Sequence, residues 1–162
     1  MSMFWRQIKY FFKVHIFGKV AKKMGFDVFS LDIDPKAKPD LVANILDVDA
    51  SKLPVPDYVW ASPPCNTFSP LVYPLKERNP ETAEPYSDRA KEGTEILYKT
   101  LSIINTLLKK NPKLYYCIEN PHGMMRKDKK MMALPYMTTT LYCLYGDGKQ
   151  KRTDFWSNYP LT

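Results

Sequence analysis

The 162-residue chain has two histidines and three cysteines, Cys65, Cys117 and Cys143, with no CxxC spacing among them. A structural zinc site draws on closely spaced Cys and His, and a disulfide framework draws on paired cysteines. Neither is expected here, and a dedicated metal site is not expected either. A reducing, intracellular setting is the simpler reading. Long hydrophobic runs are missing too: no apolar stretch approaches the roughly 20 residues that span a bilayer. The opening MSMFWRQIKYFFKVHIF is broken by Arg6, Lys9, Lys13 and His15, so it reads as neither a membrane span nor a signal peptide. Internal repeats and low-complexity tracts are also absent.

What is present is ordinary globular material. Hydrophobic residues make up 44% and charged residues 25%, close to the average for a soluble domain. The length suits one domain over 1–162 that buries roughly two-thirds of its unfolded surface. A net charge of +7 and a pI near 9.2 fit a polyanionic partner, of which nucleic acid is the commonest.

GKVAKKMGF places Val20, Ala21 and Met24 at helical spacing and ends at Gly25, predicting a helix with a glycine stop. FDVFSLDID reads as a β-type run with an acidic end, and DLVANILDVD as a second, weaker one. DYVWAS is a third strand, stopped by Pro63 and Pro64, which cannot donate to a ladder. Residues 70–93 are rich in proline and charge and read as a long loop, of a length that is usually functional or disordered. From Glu92 to Lys110 the apolar residues recur every three to four positions, predicting the longest helix. KLYYCIEN reads as a buried strand, while TTTLYCLYG and TDFWSN suggest an antiparallel pair around a GDGKQKR turn. The expectation is an α/β fold with a mostly parallel sheet and an antiparallel C-terminal hairpin. In such sheets ligands gather at the carboxyl ends of strands, where Asp32, Cys65 and Glu119 all fall.

Three stretches carry candidate chemistry. In WASPPCNTFS, Cys65 is either a small buried hydrophobe or a nucleophile held rigidly by the two prolines, and the prolines favour the second. In IENPHG, Glu119 ends an apolar strand and is either a solvated carboxylate or an acid at the sheet edge. In QKRTDFW, Arg152 offers a planar fork for a carbonyl, phosphate or carboxylate, or is surface charge. The cluster MMRKDKKMM reads as a solvated basic face or as phosphate contacts, and its methionines as packing.

Together these stretches resemble the DNA cytosine-5 methyltransferase family, most closely its small viral and phage-type members that lack a separate target-recognition domain. PPCNTFS resembles the family's proline-cysteine loop, IENPHG its Glu-Asn strand end, and QKR its Gln-x-Arg-x-Arg segment. SLDID resembles the acidic strand end that holds the ribose of S-adenosylmethionine, and VANIL the following cofactor segment. The resemblance implies a class I, Rossmann-like methyltransferase fold with Cys65 as nucleophile, Glu119 at ring nitrogen 3 and Arg152 at the base carbonyl. It further implies Asp32, Ile33, Asn44, Ile45 and Pro63 toward the cofactor, and Ser62, Asn120, Pro121 and Gln150 toward the substrate. DNA would be the partner, with a target-recognition subunit or a second copy as further candidates. The host cytoplasm or nucleus would be the setting. A modified base must be flipped out of its duplex, and the loop over 70–92 is the candidate to close behind it, with Tyr73 and Arg78 available for stacking or phosphate contact.

Two departures from the family pattern stand out. FFKVHIFGKVA carries Lys13, Val14 and His15 where the family has small residues in a glycine-rich turn, with Gly18 alone retained. Asp154 replaces the second arginine of Gln-x-Arg-x-Arg. Two other readings follow: an inactive homologue that still binds DNA, and an amino-group methyltransferase suggested by SPP, for which Glu119 would have no task.

Overall fold

The computed structural model describes residues 8–9, 15–69, 75–141 and 151–161. In chain order these form β1 (Ile8–Lys9), α1 (His15–Lys23), β2 (Val28–Phe29), β3 (Leu31–Asp32), β4 (Leu41–Val42) and β5 (Tyr58–Ala61). There follow α2 (Asp88–Lys110), β6 (Tyr115–Pro121), α3 (Lys129–Met132), β7 (Tyr136–Leu141) and β8 (Arg152–Ser157). Two compact units result, Met1–Ser62 with Tyr98–Tyr116, and Pro63–Leu97 with Cys117–Thr162. Helix α2 and strand β6 each run from one unit into the other. No helix among the described residues is long and apolar enough to cross a membrane.

In the first unit β1 pairs in parallel with both β2 and β5. Helix α1 ends where the sequence predicts: Gly25 has φ +86, Phe26 N–H reaches back to Ala21 O at 3.1 Å and Gly25 N–H to Lys22 O at 3.0 Å. That paired return is the glycine-dependent stop of a Schellman end. The buried face of α1 is narrower than its spacing suggests. Ala21 packs against Val28, Phe26, Tyr58 and Trp60, whereas Val20 is exposed and Met24 is 70% exposed.

The run FDVFSLDID is two strands, not one. After β2 the chain turns at Ser30, and β3 pairs in parallel with β4 in a separate two-stranded sheet. Asp40 fastens this turn, accepting at 2.7 Å from both the N–H and the hydroxyl of Ser30. The predicted strand DLVANILDVD shrinks to Leu41–Val42, because Asn44 and Asp49 cap two short 3-10 turns by accepting from Leu46 N–H (3.0 Å) and Ser51 N–H (2.9 Å). Side-chain acceptors of this kind compete with a ladder for the backbone.

The second unit holds the predicted antiparallel hairpin. β8 lies between β6 and β7, with Asn120 opposite Asp154 and Thr139 opposite Asp154. Trp156, Ile118, Phe68 and three methionines, Met124, Met125 and Met131, are fully buried, so those methionines pack as expected, while Met132 is exposed. Helix α2 begins at Asp88, four residues before the predicted start. Ser87 is the reason: its hydroxyl accepts from Ala90 N–H at 3.1 Å and its carbonyl from Lys91 N–H at 2.9 Å, an N-cap whose pull the apolar periodicity does not register.

Candidate active site

The loop after β5 is clamped on both flanks of the thiol. Pro63 is buried, and its carbonyl accepts from Asn120 Nδ2 at 2.8 Å. Past Cys65 the chain makes one helical turn, with Phe68 and Ser69 N–H both donating to Cys65 O at 3.0 Å. Phe68 is fully buried, and its carbonyl accepts from Met124 N–H at 2.7 Å. Cys65 itself is half-buried and free of any disulfide. The prolines therefore end the strand, and two hydrogen bonds to the 120–124 segment hold the loop on either side of the thiol.

Beneath this loop lies a buried arginine. Arg78 is 3% exposed, and its guanidinium stands 3.7 Å from the centroid of the Phe68 ring. It donates to Thr67 O (3.0 Å) and Oγ1 (2.9 Å), Ala83 O (3.1 Å), Thr94 Oγ1 (2.8 Å) and Ala90 O (2.6 Å). An arginine spent on this many acceptors cannot contact a phosphate, so the role expected for it from sequence is corrected: Arg78 ties the loop after Cys65 to α2 and to the 75–87 segment. That segment is itself ordered by Asn79, whose Oδ1 accepts from Glu81 and Thr82 N–H. Gly93 completes the fit, since a Cβ there would meet Thr67 Oγ1 at 2.9 Å and Arg78 Nη2 at 3.2 Å. Tyr73 and Gln150 lie outside the described residues.

Glu119 and Asn120 are the two residues before Pro121, the last of β6, and the pleat sends their side chains to opposite faces. Asn120 is 1% exposed and shares its face with Asp154, its register partner. Glu119 is half-buried on the other face, opposite Phe155. Arg152, two residues before Asp154, belongs to the Asn120 face by the same alternation. It is exposed, and its side chain makes no hydrogen bond or ion pair among the described residues. Pro121 is half-buried at the strand end, next to His122, whose N–H donates to Arg152 O at 3.0 Å.

Asp154, which stands where the family pattern has an arginine, is wholly buried. Its Oδ1 accepts from Thr139 Oγ1 at 2.7 Å and Arg126 Nη2 at 3.1 Å, and lies 3.3 Å from His122 Nδ1. A buried carboxylate is tolerated only when so partnered. The charge missing from the strand is thus balanced by an arginine from the turn at Met124–Lys127.

The remaining candidates belong to the first unit. Asp32 ends β3 half-buried, with Oδ1 accepting from Asp34 N–H at 2.9 Å. Ile33 beside it is 65% exposed. Asn44 is half-buried, and the Ile45 side chain is buried. Ser62 accepts from Trp60 Nε1 at 3.0 Å. Gly18 sits inside α1 rather than in a turn, and a Cβ there would make only an ordinary 3.8 Å contact with Val28.

The chain superposes on the crystal structure of the S. pombe Dnmt2 methyltransferase with a TM-score of 0.55 and 13% identity, over 96% of this chain and 51% of that one. The fold is that of a methyltransferase. No family profile matches the chain. In sequence it is 30% identical over 143 residues to a probable DNA (cytosine-5)-methyltransferase of Frog virus 3 (isolate Goorha), a match covering 85% of this chain. The chain spans 63% of that relative's length. The similarity to cytosine-5 methyltransferases read from the motifs is borne out, as is the α/β fold.

Within this methyltransferase fold, sequence reasoning missed the supporting residues. Thr67, Thr139 and Arg126 fall in stretches quoted above, PPCNTFS, TTTLYCLYG and MMRKDKKMM, yet nothing in those stretches signals their roles, which come from contacts between segments distant in the chain. Only Gly93, a glycine early in a long helix pattern, left a trace, because glycine there is unfavourable unless space demands it.

Proposed function

We propose that this chain transfers a methyl group from S-adenosylmethionine to carbon 5 of cytosine in DNA through a covalent adduct on Cys65. The observation that carries the reading is the 2.8 Å hydrogen bond from Asn120 to Pro63 O. It fastens the loop bearing the thiol to the strand end bearing Glu119. Two groups that act on one ring need such coupling, because a displacement of about 1 Å can cost a hundredfold in rate.

Cytosine carbon 5 is a poor nucleophile. Addition of the Cys65 thiolate to carbon 6, with Glu119 donating a proton to nitrogen 3, turns the ring into an enamine nucleophilic at carbon 5. S-Adenosylmethionine would supply an electrophilic methyl group there, its sulfur keeping the bonding pair and leaving as the neutral thioether of S-adenosylhomocysteine. Loss of the carbon 5 proton to a base then expels the Cys65 sulfur, restores the double bond and returns the nitrogen 3 proton to Glu119. Arg152, exposed at the start of β8, is available to the carbonyl oxygen at carbon 2. Because Glu119 and Arg152 emerge on opposite faces, a flat base lying beyond the strand ends meets one from each side. Extrusion of that base from a duplex exposes it to both, with Ser62, Pro121 and Gln150 as further substrate contacts.

The first unit's residues fit the cofactor's adenosine. An isoleucine left 65% exposed next to an acidic strand end offers an apolar surface for a purine face, and Asp32 suits the ribose hydroxyls. Asn44 spends Oδ1 on Leu46 N–H, leaving Nδ2 as a donor that suits a ring nitrogen. Ile45, its side chain buried and its carbonyl taken by Val48 N–H at 3.1 Å, has its N–H to offer.

The test is methyl transfer from labelled S-adenosylmethionine to a cytosine-containing duplex, with the product base identified by mass. 5-Methylcytosine from the wild-type protein and none from Cys65→Ser is the expected result. Retained transfer in Cys65→Ser, or a methyl group on an exocyclic nitrogen, sinks the reading.

A further inference from the structure

We propose that Arg126 grips a phosphate of the substrate strand beside the Cys65 loop, taking over the positive charge that Asp154 removes from β8. The inference rests on the reading of the chain as a DNA methyltransferase and concerns how that reading's substrate is held.

Arg126 projects from the turn Met124–Lys127, whose first N–H is hydrogen-bonded to Phe68 O in the loop after Cys65. The same turn is anchored by Lys127 Nζ, which donates to Pro80 O at 2.5 Å. The arginine is thus fixed to the thiol loop by main-chain contacts. Its guanidinium is fixed as well. All of its hydrogen bonds among the described residues run through Nη2, to Asp154 Oδ1 (3.1 Å), Thr139 Oγ1 (3.0 Å) and Met137 Sδ (3.9 Å).

The unused atoms are as informative. Arg126 Nε and Asp154 Oδ2 are both buried with no partner among the described residues. Nε and Nη2 form one side of the guanidinium fork, and the two carboxylate oxygens match that side. A small rotation therefore completes a two-point grip by Asp154. Nη1 then points away from the carboxylate; it is not among the buried, unpartnered atoms, and the side chain remains 29% exposed. A cation preorganised by a buried acid, with one end of its fork presented outward, is a phosphate receptor with little side-chain entropy left to lose. Exposed Lys129 stands at the start of helix α3, two residues past the end of the turn.

The test is the salt dependence of binding of a fluorescein-labelled, cytosine-containing DNA duplex to the full chain. Removing one cation that neutralises a phosphate lowers the slope of log affinity against log salt by about one. Arg126→Gln is expected to weaken binding severalfold and lower the slope by about one. Since Arg126→Gln strands a buried charge on Asp154, the double variant Arg126→Gln with Asp154→Asn is measured beside it; it removes both charges, and the same fall is expected. An unchanged slope in a double variant that melts as the wild type does overturns the inference. A wild-type protein that methylates DNA while both variants keep its slope leaves the methyltransferase reading standing without this phosphate grip. A fall in slope with no methyl transfer by the wild type sinks that reading and keeps the grip.

Discussion

Replacing Asn120 separates what the latch to Pro63 contributes to stability from what it contributes to activity. Asn120→Ala removes the 2.8 Å bond and leaves the buried Pro63 carbonyl without that donor, a loss of about 1–3 kcal/mol. The same substitution deletes Asn120 Oδ1, a buried acceptor that has no partner among the described residues, and so relieves a desolvation penalty of similar size, about 1–3 kcal/mol. The two nearly offset, so the net destabilisation is expected to be only about 1 kcal/mol, a small cavity included. Asn120→Asp keeps the shape but turns the donor into a second acceptor against Pro63 O, and buries a carboxylate in its place. Its expected cost is about 3–5 kcal/mol, easing at low pH as the new carboxyl takes up a proton. Urea unfolding followed by circular dichroism gives the stabilities, and methyl transfer at saturating cofactor gives the rate. Asn120→Ala should lose on the order of a hundredfold in kcat while remaining folded, because the thiol loop is no longer held at the Glu119 strand end. An alanine variant with wild-type kcat, or an aspartate variant as stable as the alanine one, would refute the reasoning.

Other substitutions give equally definite outcomes. Alanine at Gly93 meets Thr67 Oγ1 at 2.9 Å and Arg78 at 3.2 Å, so crowding of about 1–3 kcal/mol outweighs a helix-propensity gain of about 1 kcal/mol and the midpoint of urea unfolding falls. At Gly18, where among the described residues a Cβ meets Val28 at an ordinary 3.8 Å, the propensity gain stands alone and the midpoint rises. Arg78→Lys gives up the planar fork and its stacking on Phe68 and is expected to cost about 2–4 kcal/mol in the same assay. Burial acts to raise the Asp40 carboxyl, but its hydrogen bonds to the Ser30 hydroxyl and N–H, with Lys22 nearby, outweigh this and hold it below its ordinary value. A depressed carboxyl stabilises the fold above its unfolded value and loses that contribution as pH falls through the folded one. Asp40→Asn should therefore destabilise modestly at neutral pH, by under about 1 kcal/mol at this exposed site, and the two unfolding curves should converge in acid.

The elements legible in the sequence were those whose signal is local. Gly25 marks the end of α1, Pro63 and Pro64 the end of β5, and the apolar period the body of α2, each through a backbone rule that acts within a few residues. The split of FDVFSLDID was not legible, because it depends on Asp40 reaching back to Ser30 across the β3–β4 connection. The early start of α2 depends on one serine, Ser87. In the candidate site the positions of Cys65 just past β5 and of Glu119 near the end of β6 were legible, because proline and a polar strand end announce them. The residues that hold them, Asn120 through Pro63 O and Arg78 through Thr67 and Phe68, act across the fold. Asp154 gave the clearest lesson: read alone it is a lost positive charge, whereas in the structure it is the buried anchor of another arginine.

Trapping on a duplex carrying 5-fluorocytosine tests the central claim most directly, because fluorine at carbon 5 cannot leave as a proton does and the sulfur cannot be expelled. With S-adenosylmethionine present, the account predicts a stable protein–DNA adduct whose cross-linked peptide contains Cys65, with the transferred methyl group on the base. An intact, cofactor-bound protein that forms no adduct, or one joined through Cys117, would contradict it.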